Sequence, residues 1–514
     1  MKKNAIILAA GYGMRMVPLS VEQPKALIKI QNEVLIERMI KQLHEANVFD
    51  IKIVVGFMKE SFEYLIDKYD VELIVNKDYE NTNTMYSLCL AKNYIKNTYI
   101  LSSDVWLKEN IFNHSSLNTS WYLLQKNNHG NLKVKDNSLI YYSNQGTCKA
   151  LGGIAYVTGK TAVMLKERLS SEKIDYEFFW EKALTNQADQ LMLTPFYLDS
   201  KEGVEFNTYE QLVEFQEDDD QLHVQAIDII EECLKTSKEH IKNIRTLKKG
   251  MTNRSFIFSC NDERYIMRIP GKGTDELIDR QEEAEVHKVI EEKGYGEPIL
   301  FIDPKSGYKL TKYMGNTRNC DIDNWNDIAN CMEYLKKFHK EGLKVNHTFD
   351  LYKEINFYEK LRGKTSLYSD YDLVKENVFS LKKYIDKQEK QWTLCHIDAN
   401  ADNFLIDKND EQKITLIDWE YAGMQDPHVD VAMFGIYAMY DKEKMDRLID
   451  TYFDGKVRKN VRVKIYAYIA TCGLLWSNWC EYKHSLGIDF GEYSLAQYRY
   501  AKEYYQYAKE LMGE

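Results

Sequence analysis

His396-Ile397-Asp398-Ala399-Asn400-Ala401-Asp402-Asn403, with Ile417-Asp418-Trp419-Glu420 following at the end of a second apolar run, is the stretch that decides the fold of the second half of this chain. Taken singly, its residues are ordinary: an aspartate caps a turn, a histidine is satisfied in a core. Their joint spacing is not ordinary. Asp398 is placed to accept the proton of an attacking hydroxyl, while Asn403 and Asp418 are placed to hold Mg²⁺ on a transferred phosphoryl group. His396 would brace the loop.

The H-x-D-x-x-x-x-N…D pattern resembles that of kinase-like phosphotransferases, which implies an α+β protein-kinase-like fold using ATP. Upstream, Lys249-Gly250-Met251-Thr252-Asn253-Arg254-Ser255 and Tyr265-Ile266-Met267-Arg268-Ile269-Pro270-Gly271 look like a phosphate loop and the next strand, with Asn253 and Ser255 on the nucleotide. Arg268 stands where kinases usually place lysine, and the two cations are not interchangeable. From about Val224 onward this half resembles the bacterial choline kinase family, in which arginine is expected there. The resemblance implies that Glu283 pairs with that cation, with Glu282 as the alternative one residue away.

The tail supplies the acceptor. Trp476-Ser477-Asn478-Trp479 precedes Asp489-Phe490-Gly491-Glu492-Tyr493 and Arg499, as in choline and ethanolamine kinases. A trimethylammonium group cannot donate a hydrogen bond, so its recognition favours an aromatic box closed by a carboxylate. Trp476, Trp479, Tyr493, Trp419 and Glu420 are the expected members. Gly473 stands where some relatives carry another tryptophan.

The first half opens differently. Leu8-Ala9-Ala10-Gly11-Tyr12-Gly13-Met14-Arg15 runs from a strand into a Gly-rich turn, with Pro24-Lys25-Ala26-Leu27 downstream. Glycines let backbone N–H groups approach phosphates, and Arg15 and Lys25 add positive charge. A lone Gly-x-Gly turn is weak evidence; the added Arg and Pro-Lys make it strong.

From about residue 3 to 216 the chain resembles nucleotidyltransferases with the G-x-G-x-R…P-K signature, specifically the CTP:phosphocholine cytidylyltransferases. The resemblance implies that Ala10, Gly11, Gly13 and Arg15 hold the triphosphate of CTP, that Lys25 neutralises the α-phosphate, and that Asp104 binds Mg²⁺. A second metal ligand is expected in Glu205-Phe206-Asn207-Thr208, where the family usually ends on an acidic residue and this chain has Asn207. Asparagine ligates through its carbonyl but brings no charge. Asn83 and Ser87 lie where the family contacts base and ribose, and residues 81–87 would equally make a helix N-cap. Trp106, Tyr156, Trp180 and Tyr197 are the candidates for the phosphocholine headgroup. With aromatics at 13% of the chain, each taken singly is more often core than ligand.

Composition agrees with two independent halves. A chain of 514 residues exceeds the roughly 250 to 300 at which one core stops growing. Apolar runs alternate with helix-like segments up to about residue 200, the rhythm of a parallel α/β sheet. The charged stretch Glu214 to Gln221 then marks a junction. The expected organisation is therefore an α/β nucleotidyltransferase domain with a Rossmann-like mixed sheet over 1–220 and a kinase-like domain over 221–514. A formal charge of −11, without a Lys/Arg cluster, argues against nucleic acid. The start MKKNAIILAA imitates a signal peptide, but its apolar run is too short and leads into the glycine turn. No apolar stretch approaches the length of a membrane span. Nine cysteines without a C-x-x-C pair suit reduced thiols in a cytoplasm.

The expected chemistry is consecutive: ATP-dependent phosphorylation of choline in the second half, then CTP-dependent conversion of phosphocholine to CDP-choline in the first. Ethanolamine, another amino alcohol or a sugar phosphate are the alternative substrates. A regulatory protein with one inactive domain is the alternative class, and self-association into a homo-oligomer is left open.

Overall fold

The structure, a computed structural model, describes residues 2–13, 16–113, 119–136, 138–171, 174–186, 188–199, 202–215, 224–247, 253–270, 278–363, 365–486 and 488–513. The chain forms two compact units, Met1–Gly250 with Arg254–Glu263, and Met251–Asn253 with Arg264–Glu514.

The first unit is built around the strand Asn4–Ala9, every residue of which is buried. Asp50–Val55 and Thr98–Ser102 flank it, both parallel, and Glu72–Val75 extends the parallel run. Ala5, Ile7 and Ala9 pack with Ile36, Met39, Ile40 and Leu43 of the helix Leu35–Glu45. Ile6 and Leu8 face the other way, towards Met85 and Leu88 of the helix Thr84–Leu90 and Leu165 of the helix Gly159–Arg168. A strand covered on both faces needs a continuous apolar run, which is why this one imitates a signal peptide in sequence.

The parallel rhythm stops at Thr98–Ser102. The next strand, Leu139–Val157, is antiparallel to it and forms a long hairpin with Trp121–Lys135, edged by Thr194–Tyr197. The sheet is thus mixed. A separate ribbon pairs Gly203–Glu205 with Val105–Leu107. The helix Gln225–Leu234 follows, then Lys242–Thr246 antiparallel to Asn253–Cys260.

In the second unit Glu263–Pro270, Lys309–Lys312 and Ile299–Ile302 pair antiparallel beside the helix Arg280–Glu291, whose first turn is capped by the Asp279 carboxylate. Short ribbons carry the motif loops: Thr393–Cys395 pairs with Gly423–Gln425, and Phe404–Asp407 with Ile414–Leu416. Helices enclose them, including His428–Tyr437, Lys459–Ser485 and Glu492–Met512. A Cβ at Gly473 would stand 2.7 Å from the Gln497 carbonyl and 2.8 Å from the Tyr500 Cβ. The last two helices approach too closely there for any side chain, which explains the departure from a tryptophan. Among the described residues no helix is long and apolar enough to cross a membrane.

Candidate active sites

In the first unit the chain leaves the central strand at Ala10, whose carbonyl accepts from Phe57 N–H. Around a Cβ built at Gly11 there is nothing within 4 Å, and Gly13 has φ +65° with the Lys25 Cβ 3.4 Å from its own Cβ position. A left-handed turn this close to a side chain suits glycine. Met14 and Arg15 lie outside the described residues. Lys25 Nζ is 2.6 Å from Asp104 Oδ2, and Ser102 Oγ donates to Oδ1 at 2.5 Å.

The ribbon explains the next neighbours. Glu205 is in register with Val105, Phe206 N–H donates to the Asp104 carbonyl at 3.1 Å, and Asn207 follows directly. Glu205 Oε2 accepts from Gly152 N–H at 3.1 Å, so this carboxylate is tied to backbone. Asn207 N–H donates to Gln211 Oε1 at 2.7 Å. Asn83 caps the helix Thr84–Leu90 through Thr84 N–H, and Ser87 Oγ accepts from Asn76 Nδ2 at 3.1 Å. Both therefore serve the local fold at the position where the nucleotide base was expected.

Three of the four headgroup aromatics expected in this half are core residues. Trp106 is buried, with the Arg38 guanidinium 5.2 Å over its ring and Phe215 at 5.1 Å. Tyr156 belongs to a cluster with Tyr99 and Trp121. Trp180 is buried beside Tyr122. Tyr197 is exposed on the edge strand, with Lys126 Nζ 5.7 Å from its ring. The exposed aromatics near the helix Thr84–Leu90 are instead Tyr176, Phe178 and Phe179, in a run from which sequence reasoning selected only Trp180.

In the second unit the motif loop is assembled as its spacing predicts. Asn403 Nδ2 donates to the Asp398 carbonyl at 2.9 Å and to its Oδ2 at 3.0 Å. Ile417 N–H donates to the Asn403 carbonyl at 3.0 Å, joining the two loops. His396 Nε2 donates to the Ile417 carbonyl at 2.9 Å, and its ring packs 4.5 Å from Trp419. Burial pushes His396 towards the neutral form. Burial likewise raises the Asp398 carboxyl to about 7, against hydrogen bonds from Tyr437, Asn400 and Asn403 and with help from the charge of Asp418. Both loops carry a non-glycine residue in the left-handed region, Ile397 at φ 68° and Asp418 at φ 66°. Backbone strain of this kind concentrates at functional sites.

Of the two glutamates considered, the buried Glu283 takes the cation and Glu282 is exposed. Arg268 reaches Glu283 with both terminal nitrogens, at 2.5 and 2.8 Å. Burial opposes the Glu283 charge, but Arg268, His287 and Lys309 hold its carboxyl well below the usual range. Ser255 lies on Asn253–Cys260, its carbonyl accepting from Leu247 N–H. The Asn253 side chain, residues 248–252 and Gly271 are outside the described residues.

An aromatic cluster forms here with altered membership, its Trp476 and Trp479 buried in the core. Trp476 and Trp479 pack at 5.4 Å, Trp479 and Phe490 at 5.1 Å, and Phe490 and Tyr493 at 6.4 Å. Tyr421 and Tyr437, which sequence reasoning missed, lie 6.0 and 5.5 Å from Trp476. Trp419 is not part of it: its ring is fully buried against Phe338 and His396, and its Nε1 donates to the Leu416 carbonyl. Glu420 does not close the box either, since its Oε2 faces Arg280 at 3.5 Å and Arg268 at 3.9 Å. The carboxylate nearest these rings is Asp398, whose titration the Tyr437 hydroxyl influences.

Asp430, also missed, holds the loop from below. Its oxygens accept from His396 N–H at 2.9 Å, Ile397 N–H at 2.8 Å and His339 Nε2 at 2.9 Å. His339 Nδ1 meets the Tyr452 hydroxyl at 2.9 Å, so this buried cluster is a brace. The run Asp426-Pro427 leading into a helix that carries Asp430 in its first turn was its one sequence signal.

The choline/ethanolamine kinase family matches residues 244–502, and the MobA-like NTP transferase domain family matches residues 5–107. Over 212 residues the chain is 31% identical to choline-phosphate cytidylyltransferase of Streptococcus pneumoniae, covering 39% of this chain and 90% of that protein. Over 259 residues it is 27% identical to protein LicA of Haemophilus influenzae, covering 48% of this chain and 75% of that one. The crystal structure of choline kinase LicA from Streptococcus pneumoniae aligns at 26% identity with a TM-score of 0.48, covering 55% of this chain and all of that one.

Proposed function

Because this chain belongs to the choline/ethanolamine kinase family through its second half and to the choline-phosphate cytidylyltransferase family through its first, we propose that it phosphorylates choline with ATP and then converts the phosphocholine with CTP to CDP-choline and pyrophosphate. The observation that carries the reading is Tyr437, which touches both the base and the box. Its hydroxyl lies close enough to Asp398 to bear on that carboxyl's titration, while its ring lies 5.5 Å from Trp476 and 6.3 Å from Tyr493. A small cation held by those rings presents its hydroxyl to a base whose carboxyl titrates near neutrality, where general bases work best.

The residues present suit Mg²⁺. Asn403 has committed its amide nitrogen to Asp398, which leaves Oδ1 to ligate beside the Asp418 carboxylate, a hard-oxygen pair. In the first unit the Lys25 ammonium at Asp104 marks where a cation is wanted, with the Asn207 carbonyl as the neutral second donor. Bound there, Mg²⁺ would neutralise charge on the transferred phosphoryl and nucleotidyl groups. The protein's own residues do the rest. Asp398 takes the hydroxyl proton, Arg268 paired with Glu283 reaches the nucleotide phosphates, and Lys25 with the glycine turn holds the triphosphate of CTP. Phosphocholine is already an anionic nucleophile, so the second reaction asks for alignment and charge neutralisation alone.

We place the functional boundary at 220/221, supported by the kinase-family match beginning at residue 244. A cytoplasmic location belongs to the same reading, supported by nine free thiols. The test is to incubate the pure protein with choline, ATP, CTP and Mg²⁺ and identify products by mass, with ethanolamine as a competing acceptor and UTP and dTTP in place of CTP. CDP-choline is the expected product. Its absence, or a preference for another acceptor or nucleotide, refutes the assignment.

A further inference from the structure

Glu181 lies in the first unit and none of the roles above uses it. It is 7% exposed, its Oε1 accepts from the Tyr122 hydroxyl at 2.8 Å, and its Oε2 is buried without a hydrogen-bond partner. A carboxylate oxygen left bare away from water is costly and calls for an explanation. Burial accordingly pushes the Glu181 carboxyl up, against its own backbone amide and the Tyr122 hydroxyl.

Its surroundings point to a ligand. A Cβ at Gly153 would stand 2.5 Å from Glu181 Oε1 and 3.3 Å from Trp180 Nε1, while a Cβ at the preceding Gly152 would stand 3.7 Å from Asp104 Oδ1. The two glycines therefore run between Glu181 and the carboxylate assigned to the metal. On the other side, the segment leading to Glu181 is strapped to the helix where the nucleotide base was expected. Asn83 N–H donates to the Tyr176 carbonyl at 2.8 Å, Met85 N–H to the Phe178 carbonyl at 3.2 Å, and Trp180 N–H to Thr84 Oγ1 at 3.0 Å. The strap leaves Phe178 and Phe179 48% and 61% exposed. A carboxylate with one bare oxygen, separated by Gly152 and Gly153 from the carboxylate assigned to the metal, suits a cation that brings no hydrogen-bond donor of its own.

We propose that Glu181 is the specificity-determining anion of the first-unit site and pairs with the cationic nitrogen of the phosphomonoester substrate. The inference rests on the proposed CTP-dependent reaction and adds the residue that makes it choose a charged headgroup. Phosphocholine carries that nitrogen; the phosphate ester of 3,3-dimethylbutanol has the same shape with carbon in its place.

The test measures CTP-dependent turnover of both esters by the full-length protein and by Glu181→Gln and Glu181→Asp. The wild type should prefer phosphocholine, and Glu181→Gln should raise the KM for phosphocholine about 10- to 100-fold, as expected when one partner of a desolvated charge pair is removed. The KM for CTP and turnover of the neutral ester should stay near normal, and Glu181→Asp should keep most of the preference. No preference in the wild type, or an equal loss on both esters in Glu181→Gln, overturns the inference while leaving the reaction standing. A wild type that uses neither ester refutes the proposed reaction and this inference together.

Discussion

Asp430→Asn is the substitution whose cost follows most directly from the geometry. The wild-type carboxylate accepts three hydrogen bonds in a site with no exposure: Ile397 N–H on Oδ1, and His396 N–H and His339 Nε2 on Oδ2. An asparagine of the same shape keeps one acceptor oxygen and turns an NH₂ group towards a donor on the other side. At best it preserves the Oδ2 pair and strands Ile397 N–H, a loss of about 2–4 kcal/mol for a buried, charge-assisted bond and its orphaned donor. Since 1 kcal/mol moves the midpoint of a domain this size by roughly 2–4 °C, the expected shift is about 4–16 °C.

Turnover should fall as well. The anchored amide belongs to Ile397, held at φ 68°, and a weakened anchor lets the loop relax and displace Asp398; misplacement on the order of 1 Å costs about 100-fold. Calorimetry of the full chain would show the shift in the transition that CTP does not stabilise. Burial pushes the Asp430 carboxyl up, but its bond from His339 and the loop amides hold it below its ordinary value. The wild-type advantage over Asp430→Asn is therefore complete above the unfolded Asp pKa of about 3.9 and shrinks as pH falls below it. A midpoint change under about 2 °C with normal choline phosphorylation would refute the reasoning.

Asp398→Asn should lower choline phosphorylation by roughly 10²- to 10⁴-fold and leave CDP-choline formation from supplied phosphocholine intact; failure of phosphocholine to rescue a folded variant would mean the two reactions share a centre. Asp104→Ala should do the reverse, accumulating phosphocholine from choline and ATP, and retained metal-dependent CDP-choline synthesis would refute its assignment. Tyr437→Phe removes the hydroxyl that influences Asp398 but keeps the ring, so kcat for choline should fall about 10-fold with KM nearly unchanged, whereas Trp479→Leu should raise KM several-fold, about the strength of one cation–π contact; steady-state kinetics showing the opposite split would break the link between base and rings. Arg268→Lys keeps the charge but loses the two-pronged contact with Glu283, and kcat/KM for ATP should drop about 10- to 100-fold.

Legibility in the sequence followed the distance over which a constraint acts. His396, Asp398 and Asn403 lie within one loop, and the chemistry demands those residue types at that spacing, so their assembly could be read directly. The Gly11-x-Gly13 turn with Lys25 could be read for the same reason, and so could the central strand, whose burial on both faces leaves an unbroken apolar run. The antiparallel hairpin Trp121–Lys135 and Leu139–Val157 was not legible, because its outer part is polar and Gly-containing and carries no period. Asp430 and His339 were hidden because each acts on a loop far along the chain.

Trp419 and Glu420 lie away from the other expected aromatics for a sharper reason. Residue type says that a ring wants cover, while one backbone dihedral decides what covers it. Asp418 takes φ 66° at the second motif, and the chain after it does not alternate as a strand would. Trp419 turns inward against Phe338 and His396, Glu420 meets two guanidinium groups, and Tyr421 emerges beside Trp476. Had the strand continued with its period of two, Trp419 and Tyr421 would have shared a face and the expected box would have contained both. The left-handed turn at Asp418, the proposed metal ligand, thus also selects which neighbouring ring meets Trp476, so replacement of Tyr421, and not of the larger Trp419, should be felt in the KM for choline.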